Sequence, residues 1–458
     1  MECSIHGLFQ AKTLYIILIL SALVLRDPTS SSQALDVTRF GALGDGITDD
    51  SQAFLRSWET VCKGTGHGTD TELIVPADKI FMLQPLKFLG PCKSGPINFQ
   101  VYGDIVAPRR NQKKWKGDND NWIVFSDIDD LIVEGDGLID GQGSSWWKYE
   151  NDPRPTALKF KKCKNLQLRG LRHIDSPMAH IHINNCYGVT ISDLRITAPE
   201  SSPNTDGIDI AGSTNVQIQN CFIGTGDDCI AINSGSSLVN ISGVQCGPGH
   251  GISIGSLGKD GEKASVEEVY VQNCSFTGTT NGARIKTWQG GSGYAKNIVF
   301  RGIKLDKVRN PIIIDQYYCI RGSKCKNQTS AVKVSNVLYD GFVGTSSTEI
   351  GVTFSCSETV PCTDIYMSNI DIDSEERGEI AVRGACLNAK GFSSTPTLPG
   401  LDCLTLARNP PQPSPGRDFT PPGHLTPWVF EGKGKRNRVP ETVLALFLCW
   451  VIYFRYIL

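Results

Sequence analysis

Between Leu166 and Met367 apolar and polar residues alternate in short bursts of period two, and clusters of Gly, Asn, Asp and Ser separate the bursts. Such alternation marks β-strands with one buried face. Three tetrapeptides share one frame: Gly207-Ile208-Asp209-Ile210, Cys229-Ile230-Ala231-Ile232 and Gly251-Ile252-Ser253-Ile254, so that Ile208, Ile230 and Ile252 lie 22 residues apart. A second series of strand-like pairs runs beside it: Leu166/Leu168, Val189/Ile191, Val216/Ile218, Val239/Ile241, Val269/Val271, Ile298/Phe300, Val332/Val334 and Ile365/Met367, with gaps of 23 to 34 residues. The longer gaps carry inserted loops such as residues 258–268. No long pattern of period 3.6 interrupts this region.

Coils of about 22 residues, each with two or three short strands, predict an all-β fold: a right-handed, single-stranded parallel β-helix. Each coil buries its apolar residues against the coils above and below, which gives one continuous core along the solenoid axis. A β-sandwich would instead show turn signals every 8–12 residues and no fixed register.

The register carries the chemistry. Coils stack at roughly 4.8 Å, so residues of equal phase form a column on the surface. Two positions before each framing isoleucine stand Asp206, Asp228 and His250, with Asp227 beside Asp228. Matching Ala283 and Ile285 to the inward Ile252 and Ile254 turns Arg284 and Lys286 outward. Three carboxylates, an imidazole and two cations are thus expected on one patch, exposed at the lip of the coil.

Clustered carboxylates suit glycoside hydrolysis, in which one protonated acid serves the leaving oxygen while ionised partners activate water. Crowding and burial raise the pKa of such a carboxyl towards working pH. Arg284 and Lys286 suit a sugar carboxylate, the first by a fork of donors and the second as a point charge. The pattern therefore predicts cleavage of an acidic polysaccharide. Single features are weak: an Asp-Asp pair is usually a solvated turn, and a carboxylate cluster also suits calcium. The Gly-His-Gly tripeptide occurs twice, and His67 shares no strand register with the cluster, so it reads as loop. Coincidence of phase is what sets His250 apart.

Composition agrees with a β-rich chain. The 458 residues include 47 glycines, charged residues are 20 %, and the formal net charge of −2 points to neither nucleic acid nor a membrane surface. Lys12–Leu25 reads as the core of a secretory signal peptide, residues 1–34, with cleavage near Ala34. Setting aside Cys3 and Cys449, 14 cysteines remain, an even number suited to an oxidising compartment. Cys319/Cys325, Cys356/Cys362 and Cys386/Cys403 are the expected bridges. Sequons at Asn240, Asn273 and Asn327 fit secretion and glycosylation. A β-helix domain is expected over residues 35–408. Residues 409–458 form an atypical tail: proline-rich, then basic (Gly432–Arg438), then apolar (Val443–Leu458). That apolar end is short for a membrane span, and Arg455 interrupts the run that a lipid-anchor signal needs. An artefact of gene modelling, a removable or membrane-associated tail and a packed element all stay open.

The segments SPNTDGID (Ser202–Asp209), GTGDDC (Gly224–Cys229), CGPGHGISIGSLG (Cys246–Gly258) and ARIKTWQGGSG (Ala283–Gly293) resemble the four ordered motifs of the polygalacturonases, the pectin-cutting glycoside hydrolases of family 28. The resemblance extends from about Leu35 to Cys403 and is strongest to the plant branch. It implies a pectin-lyase-like solenoid and inverting hydrolysis of α-1,4-linked galacturonan. It further implies Asp227 as general acid, Asp206 and Asp228 as the groups that activate water, and His250 as a neighbour that helps keep the acid protonated. Substrate contact falls to Arg284 and Lys286, and also to Asn204 and Tyr317. No cofactor or metal is implied, and the expected enzyme is a secreted monomer of the cell wall with no membrane contact by its catalytic domain. Phase alone does not say which carboxylate is the acid. Two rivals remain at this stage: a calcium-dependent pectate lyase and a non-catalytic pectin-binding β-helix protein.

Overall fold

The computed structural model describes residues 35–64, 71–93, 95–110, 115, 117–149, 152–319, 325–375 and 381–406. The signal segment, Ala34, His67 and the 409–458 tail lie outside the described residues. The rest forms a right-handed parallel β-helix, and every strand pairing among the described residues is parallel.

One face of the solenoid is an 11-stranded sheet, and the other strands join into a 24-stranded sheet. Two ladders of that larger sheet merge in the C-terminal coils, where single strands such as Ser292–Val308 and Lys333–Ser346 run through both. The corner between these ladders has a simple backbone cause. Gly170, Asp193, Asn220, Gly243, Asn273 and Gly302 all occupy it with φ between 54° and 80°. Gly, Asn and Asp tolerate this left-handed region, and β-branched residues do not.

The framing isoleucines stack as the 22-residue spacing requires. Ile208, Ile230, Ile252, Ala283 and Ile312 are successive register partners on the 11-stranded face, and all are buried. Replacing a buried isoleucine such as Ile230 by alanine would cost about 2–5 kcal/mol. This column continues through Ile181, Leu158 and Ile123, while aromatic rings take over the neighbouring inward column of Ile210 and Ile183: Phe88, Phe125 and Phe160 stack with centroids 4.7 and 5.4 Å apart.

A helix over Ser51–Lys63 was not anticipated. Its buried Ala53, Phe54, Trp58 and Val61 pack against the first coils, and Trp58 stacks near Phe88 and Phe125. Cys62 ties it to Cys92.

Two further expectations need correction. Val332/Val334 do not continue the column of Ile298/Phe300. Those residues pair with Val337 and Tyr339, while Val334 pairs with Ala295. Both runs alternate, but the loop that precedes this strand consumes more residues than a plain coil, and Tyr339 supplies the ring that stacks on Phe300 at 5.5 Å. The even cysteine count also overstates bridging. The three expected bridges form, yet Cys163, Cys186, Cys221, Cys229, Cys246 and Cys274 are free, buried thiols. They pack as small hydrophobes between coils.

Candidate active site

The GTGDDC turn (Gly224–Cys229) enters the 11-stranded face just before the strand Ile230–Ile232. Its glycines are there because backbones meet: a Cβ on Gly226 would stand 2.0 Å from the Ser202 carbonyl oxygen, and one on Gly224 2.5 Å from that of Gly247. Close stacking of three turns brings Asp206, Asp227 and His250 together. The His250 amide donates to the Asp227 carbonyl at 2.8 Å, and the Gly207 amide to that of Asp228 at 2.9 Å.

The two adjacent carboxylates part company. The Asp228 side chain turns inward and is 1 % exposed, whereas that of Asp227 is 20 % exposed. The expectation that both are exposed at the lip is therefore corrected for Asp228. Its Oδ1 accepts from Ser253 Oγ at 2.9 Å and from Arg284 at 2.5 Å, and its Oδ2 accepts from Lys286 Nζ at 2.7 Å. Arg284 also donates from Nε to Ser253 Oγ at 2.8 Å. Burial alone would raise the Asp228 pKa, but Arg284, Lys286 and Ser253 together outweigh it and hold the carboxyl below its ordinary value. Lys286, 9 % exposed, stays charged because the attraction of Asp228 overcomes its own burial. The expected exposure is corrected for the cations as well: Lys286 is buried, Arg284 is 13 % exposed, and both donate first to Asp228.

Asp227 faces the open side. Its Oδ1 lies 2.9 Å from His250 Nδ1 and accepts from the Asp228 amide at 2.9 Å, while Oδ2 has no partner among the described residues. The imidazole of His250 is 37 % exposed.

Asp206 sits on a loop held from beneath. His180, buried, places Nδ1 3.2 Å from the Asp206 carbonyl and receives the Ser176 amide on Nε2 at 3.3 Å. Burial pushes the His180 pKa down to about 4, so it is a neutral prop. Arg154, also buried, donates to the carbonyls of Pro177 and Pro203 at 3.0 and 2.7 Å and to Asn204 Oδ1 at 2.6 Å. Asn204 takes a left-handed φ of 56° at the exposed loop tip, and Thr205 Oγ1 accepts from the Gly226 amide at 3.0 Å. Burial, then Asp209, Asp227 and Asp228, lift the Asp206 carboxyl well above its usual range.

A fourth carboxylate, Asp209, was missed. It is the outward residue of Ile208-Asp209-Ile210, in register with Ala231, Ser253 and Arg284. Burial first, then Asp228 and Asp227, raise its pKa to about 7. The signal was present: Asp209 and Ser253 hold the same phase between framing isoleucines as Ala231. Tyr317 stands at the rim, 37 % exposed, its amide tied to Asp315. The aromatic against the site's cation is instead Tyr318, whose ring centroid lies 5.4 Å from Lys286 Nζ and 5.3 Å from that of Trp288.

Ligand atoms of Asp227, Asp228 and His250 lie within 4.8 Å of one another, close enough to hold a cation. The donor set does not suit one. Both Asp228 oxygens are engaged, and Arg284 and Lys286 would repel an added positive charge.

Comparison with known proteins gives the family and the fold. Residues 65–394 match the family described as Glycosyl hydrolases family 28. A protein of Arabidopsis thaliana named "Probable polygalacturonase At3g15720" is 57 % identical over 443 residues, covering 93 % of this chain and 95 % of its own. That share exceeds the span Leu35–Cys403, so the likeness reaches into the terminal segments. A Malus domestica polygalacturonase is 44 % identical over 358 residues, covering 76 % of each chain. Among solved structures, an endo-xylogalacturonan hydrolase of Aspergillus tubingensis gives a TM-score of 0.67 at 25 % identity over 80 % of this chain and 97 % of its own. An exopolygalacturonase of Thermotoga maritima shares the fold at TM-score 0.65 and 20 % identity, over 83 % and 93 % of the two chains. With the family profile spanning most of the solenoid and relatives this similar, the chain belongs to glycosyl hydrolases family 28.

Proposed function

We propose that the protein is a polygalacturonase that hydrolyses α-1,4-galacturonosyl linkages of pectin with inversion and so modifies the plant cell wall. The observation that carries the reading is the division of labour between neighbours: Asp227 faces the groove beside His250, while Asp228 is held ionised by Arg284 and Lys286.

In this reading Asp227 is the general acid. Its Oδ1 takes the two N–H contacts, which leaves Oδ2 to give its proton to the leaving glycosidic oxygen as the C1–O bond breaks. A water attacks C1 from the opposite side and gives up a proton to Asp206, since both oxygens of Asp228 are already engaged. Asp228 orients that water and offsets positive charge on the ring. Asp228 is a poor nucleophile because both oxygens already accept hydrogen bonds, and this favours inversion.

The remaining N–H groups of Arg284, with Lys286, would take the sugar carboxylate, and Asn204 and Tyr317 would border it. A secreted, monomeric and glycosylated enzyme fits the disulfides and the exposed sequons at Asn273 and Asn327. The test is digestion of polygalacturonate with excess chelator, followed by reducing-end, ultraviolet and NMR readouts. Reducing ends without unsaturated product, and a first-formed anomer opposite to the substrate's, are expected. Unsaturated products lost on chelation would make it a lyase, and tight binding without cleavage a pectin-binding protein.

A further inference from the structure

The 11-stranded face continues beyond the carboxylates towards the N-terminal coils. The outward column through Arg284, Ser253, Ala231 and Asp209 goes on to His182 and then Lys159. Lys161, two residues along the same strand (Thr156–Lys161), also faces outward, in register with Asn184 and Ala211. With coils about 4.8 Å apart, Lys159 lies roughly 10 Å from Asp209 and roughly 24 Å from Arg284 along the axis.

Neither lysine forms an ion pair or hydrogen bond among the described residues, unlike Lys87 two coils away in the same column, which pairs with Asp118 at 3.1 Å. Asp118 and Asp120 reach Lys159 through their charge but form no ion pair with it, and Asp118 also accepts the amides of Asp120 and Asn121. Lys159 is half-buried and Lys161 exposed. Burial and the charge of Lys161 lower the Lys159 pKa by more than the charges of Asp118 and Asp120 raise it. Between the lysines and the acids stands His182, kept neutral by burial and by Lys159 with a pKa of about 4. An anionic chain lying along the axis would thus meet a cationic pole at each end, with the uncharged His182 and then the acids between them.

We propose that Lys159 and Lys161 form a remote subsite that binds a carboxylate of the acidic polysaccharide, two coils N-terminal to Asp209. This rests on the polygalacturonase reading for the identity of the chain. The dyad holds long substrates in place and touches no reacting atom, so its contribution lies in affinity.

The test measures binding of polygalacturonate to the full-length Asp227→Asn protein, in which cleavage does not intervene, with and without Lys159→Gln and Lys161→Gln together. Paired exposed charges each contribute up to about 1 kcal/mol, so the double change is expected to weaken binding about three- to tenfold and to flatten its dependence on salt. Lys164→Gln, at a lysine paired with Asp129 on the neighbouring sheet, should leave affinity unchanged. In the protein with Asp227 intact, the lysine changes should raise KM for the polymer while sparing kcat and the kinetics on the shortest cleaved oligomer. Unchanged affinity, or an equal loss in Lys164→Gln, overturns the subsite. Absence of cleavage with the lysine effect retained would count against the hydrolase reading alone.

Discussion

Lys286 Nζ lies 2.7 Å from Asp228 Oδ2, and this contact spans two coils, because the strands that carry the two residues' turns are separated by Ile252–Leu257. Pair and packing are therefore one structure. Removing Lys286 leaves Asp228 with Arg284 and Ser253 but strips its Oδ2 of a partner.

Lys286→Met should accordingly destabilise the fold by about 1–3 kcal/mol, the cost of a buried acceptor left unsatisfied. Denaturant unfolding of the variant checks this, and the account expects the loss to shrink when Asp228→Asn is added to the same chain. A loss that adds independently would mean that the pair is not coupled.

Asp209 provides a pH signature. Its folded pKa, about 7, stands above the ordinary 3.8. The folded protein then binds more protons than the unfolded chain between these values, so this residue's contribution falls as pH rises from about 4 to 7. Asp228, with its depressed pKa, acts oppositely but only below the ordinary value of 3.8. Melting temperatures between pH 4 and 7 should therefore decline less steeply in Asp209→Asn than in the unaltered protein. Parallel curves would contradict the shift.

Much of this was legible in sequence, and the failures have physical causes. The spacing of Ile208, Ile230 and Ile252 became register as written, because an isoleucine slipped by one residue would face water. The placing of Asp227 and His250 followed from it. What phase could not supply was depth. Asp228 shares the column but turns inward towards Arg284 and Lys286, which a count of residues does not reveal. Val332 and Val337 both begin plausible strands, and only packing of Tyr339 on Phe300 decides between them. The six free thiols were hidden for a related reason, since a buried cysteine and a bridged one look alike in a string of letters.

Arg154 acts through others. Its guanidinium holds Pro177, Pro203 and Asn204, and so fixes the loop that ends in Asp206. Arg154→Met should lower kcat about ten- to hundredfold by displacing that carboxylate and cost about 1–3 kcal/mol of stability from unsatisfied carbonyls. Arg154→Lys should restore part of both. A change confined to stability, with kcat intact, would show that the loop is positioned without it.

The central claim is that Asp227, beside His250, delivers the proton on which bond cleavage depends. The direct measurement is reducing-end release from polygalacturonate by Asp227→Asn, after circular dichroism and melting have shown the fold intact. The account predicts a loss of at least about a hundredfold in kcat with substrate binding retained. A folded Asp227→Asn protein that cuts at the original rate would contradict it.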